Sequence, residues 1–192
     1  EDFKGFNVTI PYKQSIIKYL DTLDDMAKEI GAVNTIKVSE SNELIGYNTD
    51  VYGFQQSIEP LLQAHHKKAL ILGTGGASKA VAFGLKILNI ETKFVSRTSS
   101  DNSLLYSALN KSILEEYTVI VNCTPLGTYP NIEDLPSIPY QYLSEKHIMY
   151  DLIYNPSKTA FLKAGKQEGA VIKNGLEMLE LQAEKSWEIW NS

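Results

Sequence analysis

The chain has 192 residues, 43% of them hydrophobic, and a formal net charge of -5 at pH 7. That length and apolar content suffice for a packed core in one large or two small domains. The acidic balance argues against a nucleic-acid binder, because such proteins need basic surface to displace counterions from phosphates. No apolar run approaches the roughly 18 residues that cross a bilayer, and no signal peptide is recognisable, so we expect a cytoplasmic protein with a small-molecule partner and no membrane association.

The opening of the chain predicts a strand that leads into a helix. Residues 5–10 alternate as a strand does, and Pro11 suits the first turn of a helix with Ile16 and Leu20 on its apolar face. The junction of the two elements therefore falls at residues 9–13. Up to residue 64, the patterns further predict a helix at 24–30, strands at 32–38 and 44–47, and a helix at 50–64 that can bridge two domains.

The second half of the chain predicts a parallel sheet. Residues 68–72 form a buried-strand pattern, residues 73–76 a turn, and residues 77–88 a helix with apolar residues on several faces. Helical segments are expected between the strands that follow, and such an alternation builds a parallel sheet covered on both faces. The further predicted elements are strands at 92–95, 118–121 and 148–152 and a last helix at about 176–190.

The strongest local pattern is LILGTGGASKAVAFGL, a strand that runs through GTGGAS directly into a helix. Such a turn lets backbone approach a pyrophosphate, while the helix N-terminus supplies unpaired N–H groups and partial positive charge. Gly73 would make the tight turn and Gly75 would allow the close approach. Ser78 stands where GxGxxG has its third glycine, so the pattern is a variant, and a glycine-rich loop without a ligand is the alternative for an isolated match.

The residue at the end of the next strand indicates which dinucleotide is bound. This position is acidic where it holds the ribose 2′-hydroxyl of NAD and basic where it holds the 2′-phosphate of NADP. Here it reads Ser96, Arg97, Thr98, and a guanidinium suits a phosphate. NADP is therefore favoured, although an Arg is more often a solvated surface residue.

Polar side chains at the ends of elements in the first part of the chain are candidates for acid–base chemistry. Lys13 ends NVTIPYK, Asn34 lies in GAVNT, and Asp50 ends GYNTD. A lysine beside a carboxylate can hold or pass a proton, as general acid–base catalysis requires. Spacing alone does not separate this role from that of ordinary surface charges.

The order of the motifs supplies a family resemblance. The motifs are FNVTIPYK, GAVNT, GYNTD, GTGGAS, SRT, NCTPLG, YDLIYNP and NGLEMLELQA. In order and separation, from residue 3 to the C-terminus, they resemble the shikimate dehydrogenases. The resemblance implies an NADP-dependent enzyme of aromatic amino-acid biosynthesis, by way of chorismate, that reversibly oxidises shikimate to 3-dehydroshikimate.

The resemblance also assigns roles to residues. It implies that Lys13 and Asp50 are the catalytic pair. The residues implied to line the substrate pocket are Thr9, Lys13, Asn34, Asp50, Tyr154 and Gln182. The residues implied to lie on the cofactor side are Gly73, Thr74, Gly75, Gly76, Ala77, Ser96, Arg97, Thr98, Thr124, Leu126, Leu152 and Gly175, within loops that include residues 124–127.

Three departures from the family pattern qualify the transfer. The family usually opens with a strand and a Ser-x-Ser motif that grips the substrate carboxylate, so we expect the N-terminal part of the substrate domain to lie outside this sequence. Ser96 replaces the family's Asn, and the second basic residue beyond it is replaced by Ser99, Ser100 and Asp101, which softens the preference for NADP. Tyr12 replaces a common His beside the catalytic Lys.

The expected architecture is α/β, with a Rossmann-like doubly wound parallel sheet and a smaller, incomplete α/β substrate domain. The predicted boundaries are residues 1–49 for the substrate domain, 50–174 for the nucleotide domain, and 175–192 for a C-terminal helix that returns to the substrate domain. The active site then lies in the cleft between the domains. Monomer and homodimer both stay open. The alternatives in function are a quinate or shikimate enzyme that uses NAD, and a non-catalytic ligand sensor, against which the presence of both Lys13 and Asp50 argues.

Two further residue types are interpreted as structural. Cys123, the single cysteine, has no histidine near it in sequence, so a packed residue at a strand end is favoured over a nucleophile, and its isolation fits a reducing compartment. His65, His66 and His147 lack metal-ligand spacing with carboxylates or thiols. No metal is assigned, and the three histidines are expected at the surface.

Overall fold

The structure, a computed structural model, describes residues 3–98 and 103–192. In this part of the chain two separate sheets form, one with four strands and one with six. None of the helices described is both long and apolar enough to cross a membrane.

The first sheet consists of the strands Gly5–Asn7 (β1), Thr22–Leu23 (β2), Thr35–Val38 (β3) and Leu44–Tyr47 (β4). Its order is β1-β3-β4-β2, in which β3 pairs antiparallel with β1 and β4, and β2 pairs parallel with β4. Helix α1 (Asp25–Ile30) packs beside it, capped by the Asp24 side chain, which accepts from the N–H of Ala27 at 2.7 Å. The other elements of this part are a 3-10 helix (Ser15–Tyr19), α2 (Asp50–Ile58) and a 3-10 turn (Glu59–Leu61).

The second sheet is wholly parallel. The elements of this part are β5 (Lys68–Leu72), α3 (Gly76–Ile87), β6 (Glu91–Ser96), β7 (Ser103–Leu105), a 3-10 turn (Tyr106–Ala108), α4 (Lys111–Glu116), β8 (Val119–Asn122), a 3-10 turn (Tyr140–Tyr142), β9 (Ile148–Asp151), α5 (Ala160–Gln167), β10 (Val171–Lys173) and α6 (Leu176–Asn191). The strand order is β10-β9-β8-β5-β6-β7. It reverses between β5 and β8, as in doubly wound dinucleotide-binding folds.

The core lies on both faces of the six-stranded sheet. Ala69 and Ile71 of β5 pack against α2, α3 and α6 on one face. Leu70 and Leu72 of the same strand pack against α4 and α5 on the other face. Because successive side chains of a strand point to opposite faces, a continuous apolar run such as β5 requires cover on both sides. The predicted α/β class with a parallel, doubly covered sheet is confirmed.

Several predicted elements differ in the structure. Pro11 does not begin a helix: it lies in a turn, and the following helical segment is the 3-10 helix Ser15–Tyr19. The helix predicted to end at residue 64 ends at Ile58, where the chain tightens into a 3-10 turn containing Pro60. Between β8 and β9 the only helical element among the described residues is the turn Tyr140–Tyr142, because residues 123–139 form loops.

Three short strands were missing from the sequence prediction. They are β2, β7 and β10, of two or three residues each, and none contains a fully buried residue. A strand of two or three half-exposed residues is too short to show an alternating hydrophobic pattern. Only its pairing with a neighbouring strand defines it.

Candidate active site

The candidate site lies at the carboxyl ends of β5 and β8, where the strand order reverses. In open α/β sheets, ligands bind in the crevice at this switch point. The turn after β5 and the loop after β8 are in contact, because a Cβ added at Gly73 would lie 3.2 Å from Thr124 Cγ2. Two of the segments implied to bind the cofactor therefore meet at one edge of the sheet.

The glycine turn is shaped to receive a phosphate. Gly73 has a φ of +102°, a left-handed conformation that favours glycine. A Cβ added at Gly75 would meet no atom within 4 Å, so the turn is open on that side. Helix α3 then begins at Gly76 without an acidic residue in its first turn, which leaves N–H groups and partial positive charge for an anion. These residues fit a dinucleotide pyrophosphate.

Ser78 replaces the usual third glycine without disturbing the turn. Its side chain is completely buried, and its Oγ donates to the carbonyl oxygen of Gly75 at 2.6 Å. The hydroxyl thus binds the backbone of the turn from within the first turn of α3, and the variant pattern still gives an open turn.

Lys13 and Asp50 form a short ion pair beside the first sheet. Lys13 Nζ lies 2.6 Å from Asp50 Oδ2, and the side chains are 14% and 8% exposed. Asp50 is the first residue of α2, where the helix dipole favours a negative charge. Asn34 Nδ2 donates to the other carboxylate oxygen at 3.0 Å. Two donors thus bind the carboxylate, and the ion pair is mostly buried but remains partly accessible to water.

Asn34 is held in a single orientation. Its Oδ1 accepts from the N–H of Thr49 at 2.7 Å, which directs its Nδ2 toward Asp50. The same Nδ2 donates to Gln182 Oε1 of α6 at 3.1 Å. Residues from the first sheet, α2 and the last helix therefore converge on one polar centre.

Behind this centre lies a hydroxyl cluster that the sequence did not reveal. Ser186 Oγ lies 2.7 Å from Thr35 Oγ1 and 3.1 Å from Thr49 Oγ1, and Asn7 Nδ2 donates to it at 3.2 Å. Ser186 is completely buried, one helical turn after Gln182 on α6. A serine spaced four residues from Gln182 on the same helix was the one available sequence pattern.

The segment that carries Lys13 lies beside the glycine turn. A Cβ added at Gly76 would lie 3.8 Å from Lys13 Cβ and 3.9 Å from Gln14 Nε2. The segment that carries Lys13 therefore covers the start of α3. The Lys13–Asp50 pair and the glycine turn are therefore close to each other in the structure.

The remaining predicted cofactor residues lie along the same sheet edge. Leu152 follows β9 and meets Gly175, where an added Cβ would overlap the Leu152 carbonyl. The Gly175 N–H donates to the carbonyl of Ile153 at 3.1 Å. Arg97 follows β6 and is exposed, flanked by Ser96 and Thr98. Residues 99–101, expected to soften the cofactor preference, lie outside the described residues.

Two predicted pocket residues stand apart from the polar centre. Tyr154 is 48% exposed, and Thr9 is exposed, with its carbonyl accepting from the N–H of Tyr12 at 2.9 Å. Within residues 3–98 and 103–192, no hydrogen bond joins either side chain to the Lys13–Asp50 pair.

The surface prediction is wrong for two histidines. His66 and His147 are 6% and 3% exposed, whereas His65 is exposed. Each buried ring binds the backbone on both sides: Nδ1 of His66 accepts from the Gln63 N–H at 2.8 Å, and Nε2 of His147 lies 2.8 Å from the Leu114 carbonyl oxygen. An imidazole can bind two backbone groups at once, so these histidines stabilise turns.

The described residues contain no group of three or more His, Cys, Asp or Glu that could hold a metal. Burial, with the nearby Asp151 charge, raises the pKa of Cys123. A thiol is nucleophilic only as the thiolate, so this environment disfavours a nucleophilic role.

The fold, the glycine turn and the polar centre beside it define a dinucleotide-dependent oxidoreductase. Residues 1–36 match the family model of the shikimate dehydrogenase substrate binding domain. The chain is 42% identical to the shikimate dehydrogenase (NADP(+)) of Methanococcus aeolicus, over 98% of this chain and 72% of the relative. The chain belongs to the shikimate dehydrogenase family, and the resemblance seen in its motifs is confirmed.

Solved structures agree. The crystal structure of shikimate dehydrogenase from Aquifex aeolicus matches with a TM-score of 0.87 and 36% identity, covering 98% of this chain and 72% of that one. The structure of shikimate 5-dehydrogenase from Thermus thermophilus, in complex with NADP(H) and shikimate, matches with a TM-score of 0.86 and 31% identity, covering 99% of this chain and 74% of that one.

Proposed function

We propose that this chain catalyses the reversible, NADP-dependent oxidation of shikimate to 3-dehydroshikimate. The observation that carries the proposal is the shielded Lys13–Asp50 pair, 2.6 Å apart, whose Lys13 is on a segment that lies beside the start of α3 and its glycine turn. Relatives near 40% identity are shikimate dehydrogenases that use NADP(+), which supports both the substrate and the cofactor.

Lys13 and Asp50 are proposed to manage the proton of the reacting hydroxyl. The nicotinamide of bound NADP supplies the acceptor or donor of hydride. During oxidation the hydroxyl proton passes to the Lys13–Asp50 pair, and Asp50 stabilises the ammonium of Lys13 at 2.6 Å. During reduction the same ammonium returns the proton to the ring oxygen that becomes the hydroxyl. Asn34 keeps the Asp50 carboxylate oriented through the bond of 3.0 Å to its second oxygen.

The substrate ring is proposed to lie beside this polar centre. Asn34 and Gln182 present amide groups next to the ion pair, and amides can bind hydroxyl groups as donors and as acceptors. Thr9 and Tyr154 are proposed to bind from the rim of the pocket, because both are exposed and free to turn toward a ligand.

NADP is proposed to lie along the carboxyl edge of the six-stranded sheet. The turn at residues 73–77 would hold the pyrophosphate, and Arg97 with Ser96 and Thr98 the 2′-phosphate. Across the switch point, residues 124–127, Leu152 and Gly175 would hold the second nucleotide. In this arrangement residues 1–49 serve the substrate, residues 50–174 serve the cofactor, and the last helix returns Gln182 to the substrate side.

Steady-state kinetics of the intact gene product test the proposal. Rates are measured with shikimate and with quinate, each with NADP and with NAD. We expect kcat/KM to be highest for shikimate with NADP. A higher kcat/KM for quinate or for NAD would reassign the substrate or the cofactor, and ligand binding without turnover would make the protein a sensor.

A further inference from the structure

Asp151 is a completely buried carboxylate that the proposed chemistry does not use. It ends β9, and burial raises its pKa to about 6. Its partners are three uncharged donors: Asn122 Nδ2 at 3.0 Å, the N–H of Ile153 at 3.1 Å and Thr159 Oγ1 at 2.6 Å. Burying a carboxylate costs free energy, and an apolar side chain in its place would leave these three donors unpaired.

The carboxylate is one of the groups that orient the amide of Asn122. Asn122 pairs with Asp151 across β8 and β9, and a carboxylate can only accept, so Asn122 must present its Nδ2. Its Oδ1 then points to Thr124 and accepts from the N–H at 3.0 Å and from Oγ1 at 2.7 Å. The Nδ2 also lies 3.4 Å from the carbonyl oxygen of Leu126. Through Asn122, Asp151 thus supports both the start and the middle of the loop after β8.

Asp151 holds the neighbouring loop as well. Its bond to the Ile153 N–H fixes the chain after β9, where the Ile153 carbonyl accepts from the N–H of Gly175 at 3.1 Å. Thr159, bound to the other carboxylate oxygen, caps α5 and packs against Gly127, whose added Cβ would lie 3.4 Å from Thr159 Cβ. The loops after β8 and β9 are therefore joined through a single side chain.

We propose that Asp151 is a positioning residue for the cofactor, acting through Asn122 on residues 124–126 and through the Ile153 N–H on the segment that carries Leu152. This inference rests on the proposed function. These loops lie across the switch point from the glycine turn, on the side where the second nucleotide of a dinucleotide binds. Asp151 touches neither substrate nor cofactor in this arrangement, and its effect reaches NADP through the two loops.

The test compares KM values of Asp151 variants for each substrate. Asp151→Ala removes the acceptor for Asn122 Nδ2 at 3.0 Å and for the Ile153 N–H at 3.1 Å. We expect KM for NADP to rise about 10-fold or more, with KM for shikimate within about twofold of the parent. Asp151→Asn keeps an oxygen that can accept from Asn122 and should restore KM for NADP to within about threefold. Asn122→Ala breaks the link while leaving Asp151 its other two donors, and should raise KM for NADP as Asp151→Ala does.

His147→Ala is the matched control, because His147 is buried immediately before the start of the same strand and the change removes its hydrogen bonds to two backbone groups. It should lower the melting temperature while leaving KM for NADP within about twofold. The inference is overturned if folded Asn122→Ala keeps the parent KM for NADP, or if His147→Ala raises it as much as Asp151→Ala. An intact parent that does not oxidise shikimate with NADP refutes the proposed function instead, and calorimetric titration with NADP alone still measures the effect on binding.

Discussion

Replacing Lys13 by alanine in the intact gene product should abolish most of the catalysis while leaving the fold and cofactor binding in place. The change removes the donor at 2.6 Å from Asp50 Oδ2, and Asp50 keeps Asn34 Nδ2 at 3.0 Å. The proton of the reacting hydroxyl then has no positioned amine to receive it.

The expected magnitudes follow from the geometry. General acid–base assistance contributes at least about 100-fold, equivalent to about 2.7 kcal/mol in the activation free energy, so kcat should fall by that factor. The free energy of unfolding should fall by about 1 to 3 kcal/mol, because Asp50 loses one charge-assisted bond. A fully sealed pair would lose about 3 to 5 kcal/mol, but the Lys13 side chain is 14% exposed, so water can reach the vacated position.

The assay follows formation of reduced nicotinamide with saturating NADP and varied shikimate, and calorimetry gives the Kd for NADP. Lys86→Ala is the control, since Lys86 also forms an ion pair, with Glu29 at 2.8 Å, but both side chains are more than half exposed. It should change the free energy of unfolding by less than about 0.5 kcal/mol and leave kcat unchanged.

Asp50→Asn should give a loss in kcat similar to that of Lys13→Ala, because the amide no longer stabilises the ammonium of Lys13. A near-normal kcat in either folded variant would show that the residue is structural and that the proposed mechanism is wrong. A large rise in the Kd for NADP, with kcat preserved, would assign Lys13 to the cofactor instead.

Further changes test the cofactor site, a buried histidine and the helix contact. Arg97→Ala should lower kcat/KM for NADP by about 10-fold and leave kcat/KM for NAD unchanged. This loss is at the lower end of the range for a charged hydrogen bond, because the side chain is exposed. Equal losses for both cofactors would contradict a contact with the 2′-phosphate. Burial lowers the pKa of His66 below its usual value of about 6.5, and the neighbouring His65 and His147 charges lower it further. The unfolded chain therefore binds a proton at His66 more readily than the folded protein does, so the stability is fully present above about pH 6.5 and is lost as pH falls. His66→Gln should therefore flatten the fall in melting temperature between about pH 7 and about pH 5, and parallel profiles would refute this. Gly53→Ala should lower the free energy of unfolding by about 1 to 3 kcal/mol, because the new Cβ would overlap the carbonyl oxygen of Met178 where α2 crosses α6. The control is Gln56→Ala, at an exposed position of the same helix, which should cost far less. Equal losses in the two variants would mean that the two helices can separate freely.

Local patterns were enough to predict the longer elements. The apolar run of β5, the glycine turn and α3 follow one another within twenty residues, so neighbouring residues specify them. Shorter elements escaped prediction because their conformation depends on distant partners. β10, for example, is a strand because it pairs with β9, more than twenty residues earlier in the chain.

Motif order identified the family from sequence because each motif is a short contiguous run whose residue types the chemistry requires. The identities of Lys13, Asp50 and the residues of the glycine turn were therefore available before any coordinates. Their mutual geometry was not, because it depends on where β1, α2 and α3 pack.

Side-chain orientation was decided by the tertiary structure alone. The amide of Asn34 is directed by the Thr49 N–H and by Gln182, which lies 148 residues away in sequence. Ser186 meets Thr35 across 151 residues. A hydrogen bond requires two groups within about 3 Å in the right orientation, and no local pattern encodes a partner so far along the chain. The sequence therefore specified which chemical groups the site contains, and the packing of α6 on α2 and the first sheet decided which atoms they present.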